Sequence, residues 1–380
     1  MINRVKKIKK SRNFLLHFEF MLTNIEQELQ ANQCWQLKKT ATAHRFDEVL
    51  LRNEFLPAKV QQQQLTQALR RILQHCYDVV PYYRQLFREL NISRRQLRDR
   101  QVLSDIPVLE KVTVDEHSEG MQTVHLWPGH KKAGSSRASG ISDKPRIIRQ
   151  TDHSLGMFRW LKQRELRWFR FDPAGSMLSI RPSAELPRMP DGSYIPDKTF
   201  LKLAAWPVLG GLFETGEAWA LNDTNPIDDQ LKAMTEINPT YLVIQAANLE
   251  HLSEQSFGAE VLQNLQGVLV ISQPLAPTAK ASIENKLQLV LQQNYGLSEL
   301  GLVASYCTEG GRFHVHAEHC HVEIVKSDGV GCEPGETGKL LVTGLSNPAM
   351  PLIRYETGDL AKAVEGPCPC GRTLPSFIAP

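Results

Sequence analysis

Three short apolar runs constrain this chain more than any other feature. They read "YLVIQ" (Tyr241–Gln245), "GVLVI" (Gly267–Ile271) and "LQLVLQQ" (287–293), and apolar residues dominate them with little alternation. A strand with one wet face alternates apolar and polar residues. A continuous run is buried on both faces, as in a parallel sheet covered by helices. Segments of helical spacing separate the runs, so the pattern predicts an α/β core.

The flanks differ in texture. Leu65, Ala68, Leu69, Ile72, Leu73 and Cys76 recur at helical spacing, which predicts a helix with one buried face and makes the glutamine run before it the exposed start. Pro81 should stop that helix ahead of a second, short one in "YYRQLFREL". Beyond the core, "HVEIV" and "KLLVTG" are joined by the Gly/Pro-rich "KSDGVGCEPGETG" and read as an antiparallel pair. The predicted organisation is a helical part over 1–100, an α/β core over 101–305 and a small β subdomain over 306–380, with no internal repeat.

Bulk properties exclude several classes. A chain of 380 residues can bury a large core, and a formal charge of +3 makes no case for a nucleic-acid partner. Basic residues cluster in "NRVKKIKKSR" (3–12), a membrane- or phosphate-attracting arm, or a solvated tail upstream of a start near Met21. No apolar run reaches the ~18 residues of a membrane span, and no signal-peptide core follows the basic start, so the expected location is cytoplasmic. Seven cysteines are an odd set, which argues against a disulfide framework and for metal ligation where they lie close together.

Three loops have the chemistry to hold a nucleotide. In "GSSRASGISDKPRIIRQT" (134–151), hydroxyls, backbone N–H groups and Lys144 could wrap phosphate oxygens, or the stretch is simply a flexible loop. In "QQNYGLSELG" (292–301), the chain is expected to turn at Gly296 and bring out Glu299 beyond the strand's carboxyl end, where α/β sheets bind ligands. One carboxylate there suits Mg²⁺ beside phosphates, the alternative being a solvated Glu at a helix start. In "RYETGD" (354–359), Asp359 in a glycine turn could accept two ribose hydroxyls, or it is an ordinary turn Asp.

Taken together, these stretches resemble the adenylate-forming superfamily, in particular its phenylacetate–CoA ligase branch. The residues that carry the likeness are "ASGISDKP" (138–145), "YGLSE" (295–299), "PLIRYETGD" (351–359) and "CPCGR" (368–372), with "HCYDVVPYYRQLF" and "EPGETGKLLVT" beside them. The likeness runs from about residue 60 to the end. It implies that a carboxylate attacks the α-phosphate of Mg·ATP to give acyl-AMP and pyrophosphate, after which a thiol or amine takes the acyl group. By motif position Glu299 would hold Mg²⁺ and Asp359 the ribose. Tyr295, with Gly296 and Ser298, would flank the adenine opposite Ser272 and Gln273 of "ISQP" (271–274). Ser139, Gly140, Ser142 and Lys144 would line the phosphate loop, with Lys144 and Glu299 supplying catalytic charge.

Two departures stand out. Where the branch has Thr-Thr-Gly, this loop has Ile141-Ser142-Asp143, losing a hydroxyl and gaining a negative charge. Like charges about 4 Å apart cost on the order of 4 kcal/mol at an effective dielectric near 20, so Asp143 is expected to point away from the triphosphate. The sequence also stops at Pro380, ahead of the hinge and lid that carry the branch's adenylation lysine. The resemblance then implies a large domain without its lid, as in lid-less relatives of phenazine-antibiotic pathways, where the acid is aromatic. A lid-supplying or acyl-acceptor protein would be its partner. The alternative is a protein that retains AMP or an acyl-adenylate without turnover.

Cys368 and Cys370 flank one proline, and the branch pairs this knuckle with Cys-x6-His, here Cys307 and His314. Three Cys and one His form a closed structural Zn²⁺ set, with His316 or Cys320 as substitutes. Arg372 is expected to support the knuckle. The stretch "KLAAWPVLGGLF" (202–213) is a candidate wall of an apolar acid pocket.

Overall fold

The computed structural model describes residues 35, 41–138, 145–255, 263–273 and 275–379, and only the backbone of 41–45. In chain order the helices are α1 (Ala41–Asn53), α2 (Ala58–Val79), α3 (Pro81–Glu89), α4 (Lys111–His117), α5 (Asp152–Trp168), α6 (Ile227–Ile237), α7 (Ala246–Glu254) and α8 (Pro277–Leu287). The first eight strands are β1 (Lys132–Ala138), β2 (Arg146–Thr151), β3 (Met177–Arg181), β4 (Phe200–Leu203), β5 (Ala218–Asn222), β6 (Tyr241–Gln245), β7 (Gly267–Ile271) and β8 (Leu291–Leu297). The remainder are β9 (Gly301–Cys307), β10 (Arg312–Val315), β11 (Cys320–Val325), β12 (Thr337–Gly344), β13 (Tyr355–Ala363) and β14 (Ser376–Ile378). Two units divide the chain, Met1–Leu51 with Lys162–Tyr295, and Arg52–Leu161 with Gly296–Pro380.

The first unit holds a parallel sheet covered by helices, the α/β arrangement that the apolar runs imply. Strands β8, β7, β6, β3 and β5 lie parallel in that order, and β4 closes the β5 edge antiparallel. Leu178, Ile180, Leu242, Ile244, Val268, Val270 and Leu291 are buried against Met234, Leu249, Leu252 and Ile283 of the covering helices. The continuous apolar runs follow from this burial on both faces.

One run departs from expectation. The stretch 287–293 is not a single strand: Leu287 ends α8, Gln288 caps it in the left-handed region at φ 53°, and β8 begins only at Leu291. A buried Leu287 completes the helix face while Val290 is 54% exposed, so the apolar letters serve two elements. Strand β8 also continues through Gly296, where a turn was expected. A side chain at 296 would press on the Gly301 carbonyl, which a Cβ would meet at 3.2 Å. In the 202–213 stretch the large side chains turn inward. Trp206, Leu209 and Phe213 are buried, Trp206 donates its indole N–H to the Gly175 carbonyl (3.0 Å), and Trp35 packs edge-on against Trp206 and Phe213. These side chains are packed core.

The second unit holds α2, α3 and the strands from β9 to β14. Helix α2 buries Leu69, Ile72, Leu73 and Cys76, Val80 is extended before proline, and Pro81 opens α3 at N1. Their core takes in Tyr83, Phe87, Leu345 and Ile353. The buried Tyr83 hydroxyl donates to the Pro351 carbonyl and accepts the Ile353 N–H, both at 3.1 Å. Strands β11, β12, β13, β14, β10 and β9 form an antiparallel sheet in that order, including the predicted β11–β12 pair, and β1–β2 is a separate hairpin. Among the described residues no helix is long and apolar enough to cross a membrane.

Candidate nucleotide site and metal-competent knuckle

Glu299 lies in the turn after β8 and is buried, not solvated as a helix-start Glu would be. Its Oε1 accepts the Arg146 Nη1–H (2.8 Å) and the Tyr355 hydroxyl (2.5 Å). Arg146 grips Asp115 with two nearly parallel bonds, Nε to Oδ1 (2.7 Å) and Nη2 to Oδ2 (2.8 Å), and its Nη2 also reaches the Lys111 carbonyl (3.3 Å). A buried carboxylate needs such company, because an unpaired one would be protonated or unfold the site. Burial opposes the charge on Arg146, but its bonds to Asp115 and Glu299 and the nearby Tyr355 outweigh that and raise its pKa. Burial, followed by the hydrogen bond to Glu299, pushes the Tyr355 pKa well above that of a free phenol, so it stays a donor. Both bonds to Glu299 fall on one oxygen; Oε2 takes part in neither.

Asp359 is exposed and stands within β13, a strand rather than the expected turn. The strand is bulged: Lys339 pairs with Leu360 and Leu341 with Glu356, so residues 357–359 face one residue of β12. Gly358 absorbs the distortion at φ +90°, a backbone that favours glycine. The Asp359 N–H donates to the Thr357 hydroxyl (3.0 Å). Arg354, also left-handed at φ 52°, is buried and donates to the Ile106 carbonyl (2.7 Å) and Glu323 (3.2 Å).

In the first unit, Ser272 and Gln273 are exposed just past the carboxyl end of β7, with Ser272 in the left-handed region at φ 76°. Tyr295 is half-buried near the end of β8. Both positions suit the ligand edge of a parallel sheet. Ser139, Gly140, Ser142 and Lys144, with Asp143, lie outside the described residues, as do Pro274 and the basic run at 3–12. Ser298 is exposed one residue before Glu299. An open groove of about 1110 Å³ lies elsewhere in the second unit, around Arg95, Arg98 and Arg100, and includes no predicted site residue.

The cysteine knuckle is assembled by the sheet. Cys307 ends β9 opposite Arg312, and His314 lies two residues along β10, so both side chains leave the same face. Cys368 and Cys370 complete a buried group whose ligand atoms lie within 4.8 Å of one another. Cys307 and Cys368 sulfurs are 3.7 Å apart, and Cys370 Sγ is 3.3 Å from His314 Nε2. A tetrahedron with ~2.3 Å Zn–S bonds has S···S edges of about 3.8 Å. The His314 Nδ1–H donates to the Leu374 carbonyl (3.3 Å), which turns Nε2 to the sulfurs, the way a histidine is commonly oriented toward a metal. Burial works against the His314 imidazolium, yet the three cysteines outweigh it and raise the pKa well above the ordinary value. Gly310 has no room for a side chain, since a Cβ would sit 2.2 Å from the Cys368 sulfur. His316 and Cys320 are outside the group; His316 Nε2 is 3.0 Å from the Ser305 hydroxyl, and the Cys320 thiol faces the Val303 carbonyl. Arg372 bonds the fully buried Glu54 (3.2 Å), and Thr373 bonds the Glu54 and Leu56 carbonyls, tying the knuckle to the segment before α2.

Arg146, Asp115 and Tyr355 were not among the predicted site residues. One signal was readable for Arg146: in β2 it shares the buried face with Ile148 while Ile147 is exposed. An arginine in phase with the buried face of a strand demands a carboxylate partner.

No family model matches the chain. The fold is that of the adenylate-forming enzymes. A crystal structure of an open conformation of 2-hydroxyisobutyryl-CoA ligase, in complex with 2-HIB-AMP and CoA, superposes with a TM-score of 0.69 at 16% identity, over 87% of this chain and 75% of that one. Among curated proteins the chain is similar to the phenylacetate–coenzyme A ligase of Thermus thermophilus, 27% identical over 325 residues, which are 84% of this chain and 69% of the relative. It is also similar to the enzyme of the same name from Escherichia coli K12, 26% identical over 308 residues, 79% of this chain and 67% of that one. The chain thus resembles the phenylacetate–CoA ligases in sequence and has the fold of an acid–CoA ligase.

Proposed function

We propose that this protein activates a carboxylic acid, most suitably an aromatic one, by adenylation. A carboxylate oxygen of the acid bonds to the α-phosphorus of ATP while the bond to the β-phosphate oxygen breaks, giving acyl-AMP and pyrophosphate. A thiol or amine then takes the acyl group and AMP leaves. Chemistry of this kind gains most from fixed charge and position at phosphorus. The observation that carries the reading is the buried Glu299 carboxylate, whose bonds from Arg146 and Tyr355 both fall on Oε1, in a chain similar to acid–CoA ligases. Glu299 is the group that would hold Mg²⁺, through Oε2, and Asp359 the group that would hold the ribose. Ser272, Gln273 and Tyr295 would contact the adenine, and Ser139, Gly140, Ser142 and Lys144 the phosphates. A cytoplasmic role in secondary metabolism, with a carrier protein or amine as acceptor, fits this chemistry.

Cys307, His314, Cys368 and Cys370 would hold one Zn²⁺ in a closed set of four. With no open position the ion would brace the β9–β10 hairpin against the knuckle and take no part in the reaction.

The test is exchange of labelled pyrophosphate into ATP across a panel of aryl and aliphatic acids. Acid-dependent exchange is expected, strongest with an aryl acid and lost in Glu299→Gln. Nucleotide binding without exchange for any acid would leave a binding protein and end the enzymatic reading.

A further inference from the structure

A second cation stands beside this site, and nothing in the motifs assigns it. Lys111 opens α4, directly after a segment zipped onto β13: the Leu109 N–H donates to the Arg354 carbonyl (2.9 Å), and Leu109 O accepts the Glu356 N–H (3.0 Å). That pairing fixes the register of 109–111 along the strand that carries Asp359. The Lys111 carbonyl is fixed as well, since Arg146 donates to it from the guanidinium that holds Glu299. The lysine side chain then runs to Gly358, where its Nζ lies 3.0 Å from the place a Cβ would occupy. Lys111 is partly buried, and among the described residues its ammonium forms no ion pair or hydrogen bond.

A lysine with a part-buried stem keeps its ammonium available to solvent or to an anion. Here the backbone on both sides is fixed and the charge is laid over the glycine next to Asp359. Glu299 has its own cation in Arg146, so Lys111 is not needed to neutralise it. What would complete the ammonium is an anion brought in from solvent.

We propose that Lys111 binds a phosphate of the nucleotide whose ribose is held by Asp359 and whose metal is held by Glu299. The proposal rests on the nucleotide reading above and adds a phosphate ligand from outside the glycine-rich loop. Gly358 then has two reasons to be glycine: the left-handed backbone of the bulge, and the space through which the lysine reaches the ligand.

The test compares Mg·ATP with adenosine, a probe that has the ribose and base but no phosphate, by ligand-observed NMR and calorimetry on the whole chain. In Lys111→Ala, Mg·ATP affinity should fall roughly 10- to 100-fold, the range for a lost charge-assisted hydrogen bond, while adenosine affinity stays within about twofold. Lys111→Arg should recover part of the loss, and the difference between wild type and Lys111→Ala should shrink at high salt. Asp359→Ala should lose both probes. Unchanged Mg·ATP affinity in Lys111→Ala would overturn the proposal. Equal loss of ATP and adenosine would overturn it too, because the lysine would then only support the fold; the thermal midpoint of each variant checks this separately. A wild type that binds neither probe defeats the nucleotide reading itself, and with it the role of Lys111.

Discussion

Two clusters in the same unit gather groups that rarely share a buried space, and they differ in what they leave open. Around Cys307, His314, Cys368 and Cys370 all four ligand atoms turn inward, and the one spare histidine nitrogen is spent on a backbone carbonyl. Around Glu299 the bonds from Arg146 and Tyr355 both fall on one carboxylate oxygen, and among the described residues the Lys111 ammonium has no ion pair. The first arrangement suits a permanent resident; the second suits something that arrives and leaves. Closure of the donor set, more than the identity of the residues, separates a brace from a working site.

The comparison is broken most severely at the closed cluster. Purified protein should contain close to one Zn²⁺ per chain, and a content far below that contradicts the brace. Cys370→Ser, or extraction by a strong chelator, should lower the melting temperature by about 10 °C or more, since binding to a folded-only site is folding energy. The working cluster should respond less to loss of a partner. Arg146→Ala would leave Glu299 and Asp115 facing each other without their guanidinium, at a cost of about 3–5 kcal/mol in urea unfolding. A cost below about 1 kcal/mol would mean that the pair is solvated.

Acid gives the smallest effect and sharpens the distinction. Burial, and then the charges of Arg100 and Arg354, hold the pKa of His321 down to about 4 from an ordinary 6.5. Its neutral form stabilises the fold above pH ~6.5, and that contribution is lost as pH falls through 4, because the unfolded chain takes up the proton first. The loss should be on the order of 2 kcal/mol, read from urea midpoints between those pH values. His321→Gln should remove this slope.

The two clusters were also unequally legible in the sequence. The halves of the knuckle, Cys-x6-His and Cys-Pro-Cys, are each short-range patterns that the family resemblance pairs, and the β9–β10 register brings Cys307 and His314 to one face. Glu299 and Asp359 stand out in the sequence as candidates, but their surroundings do not. Arg146 is 153 positions from Glu299, and no local pattern links them. Asp359 was expected in a turn because "ETGD" has turn chemistry; the structure uses the same glycine for a bulge, which needs the same positive φ. The apolar run at 287–293 was misjudged for a related reason, since a helix end and a strand start share one string of letters. Lys111 gave no signal, since its meaning comes from the backbone pairing of Leu109 with β13.

Where a nucleotide lands decides the role of Asp359 and Glu299. A crystal structure of the protein with AMP bound should have both ribose hydroxyls on the Asp359 carboxylate and the phosphate on the side of Glu299 Oε2 and Lys111. AMP bound at another surface, or a ribose that leaves Asp359 untouched, would contradict it.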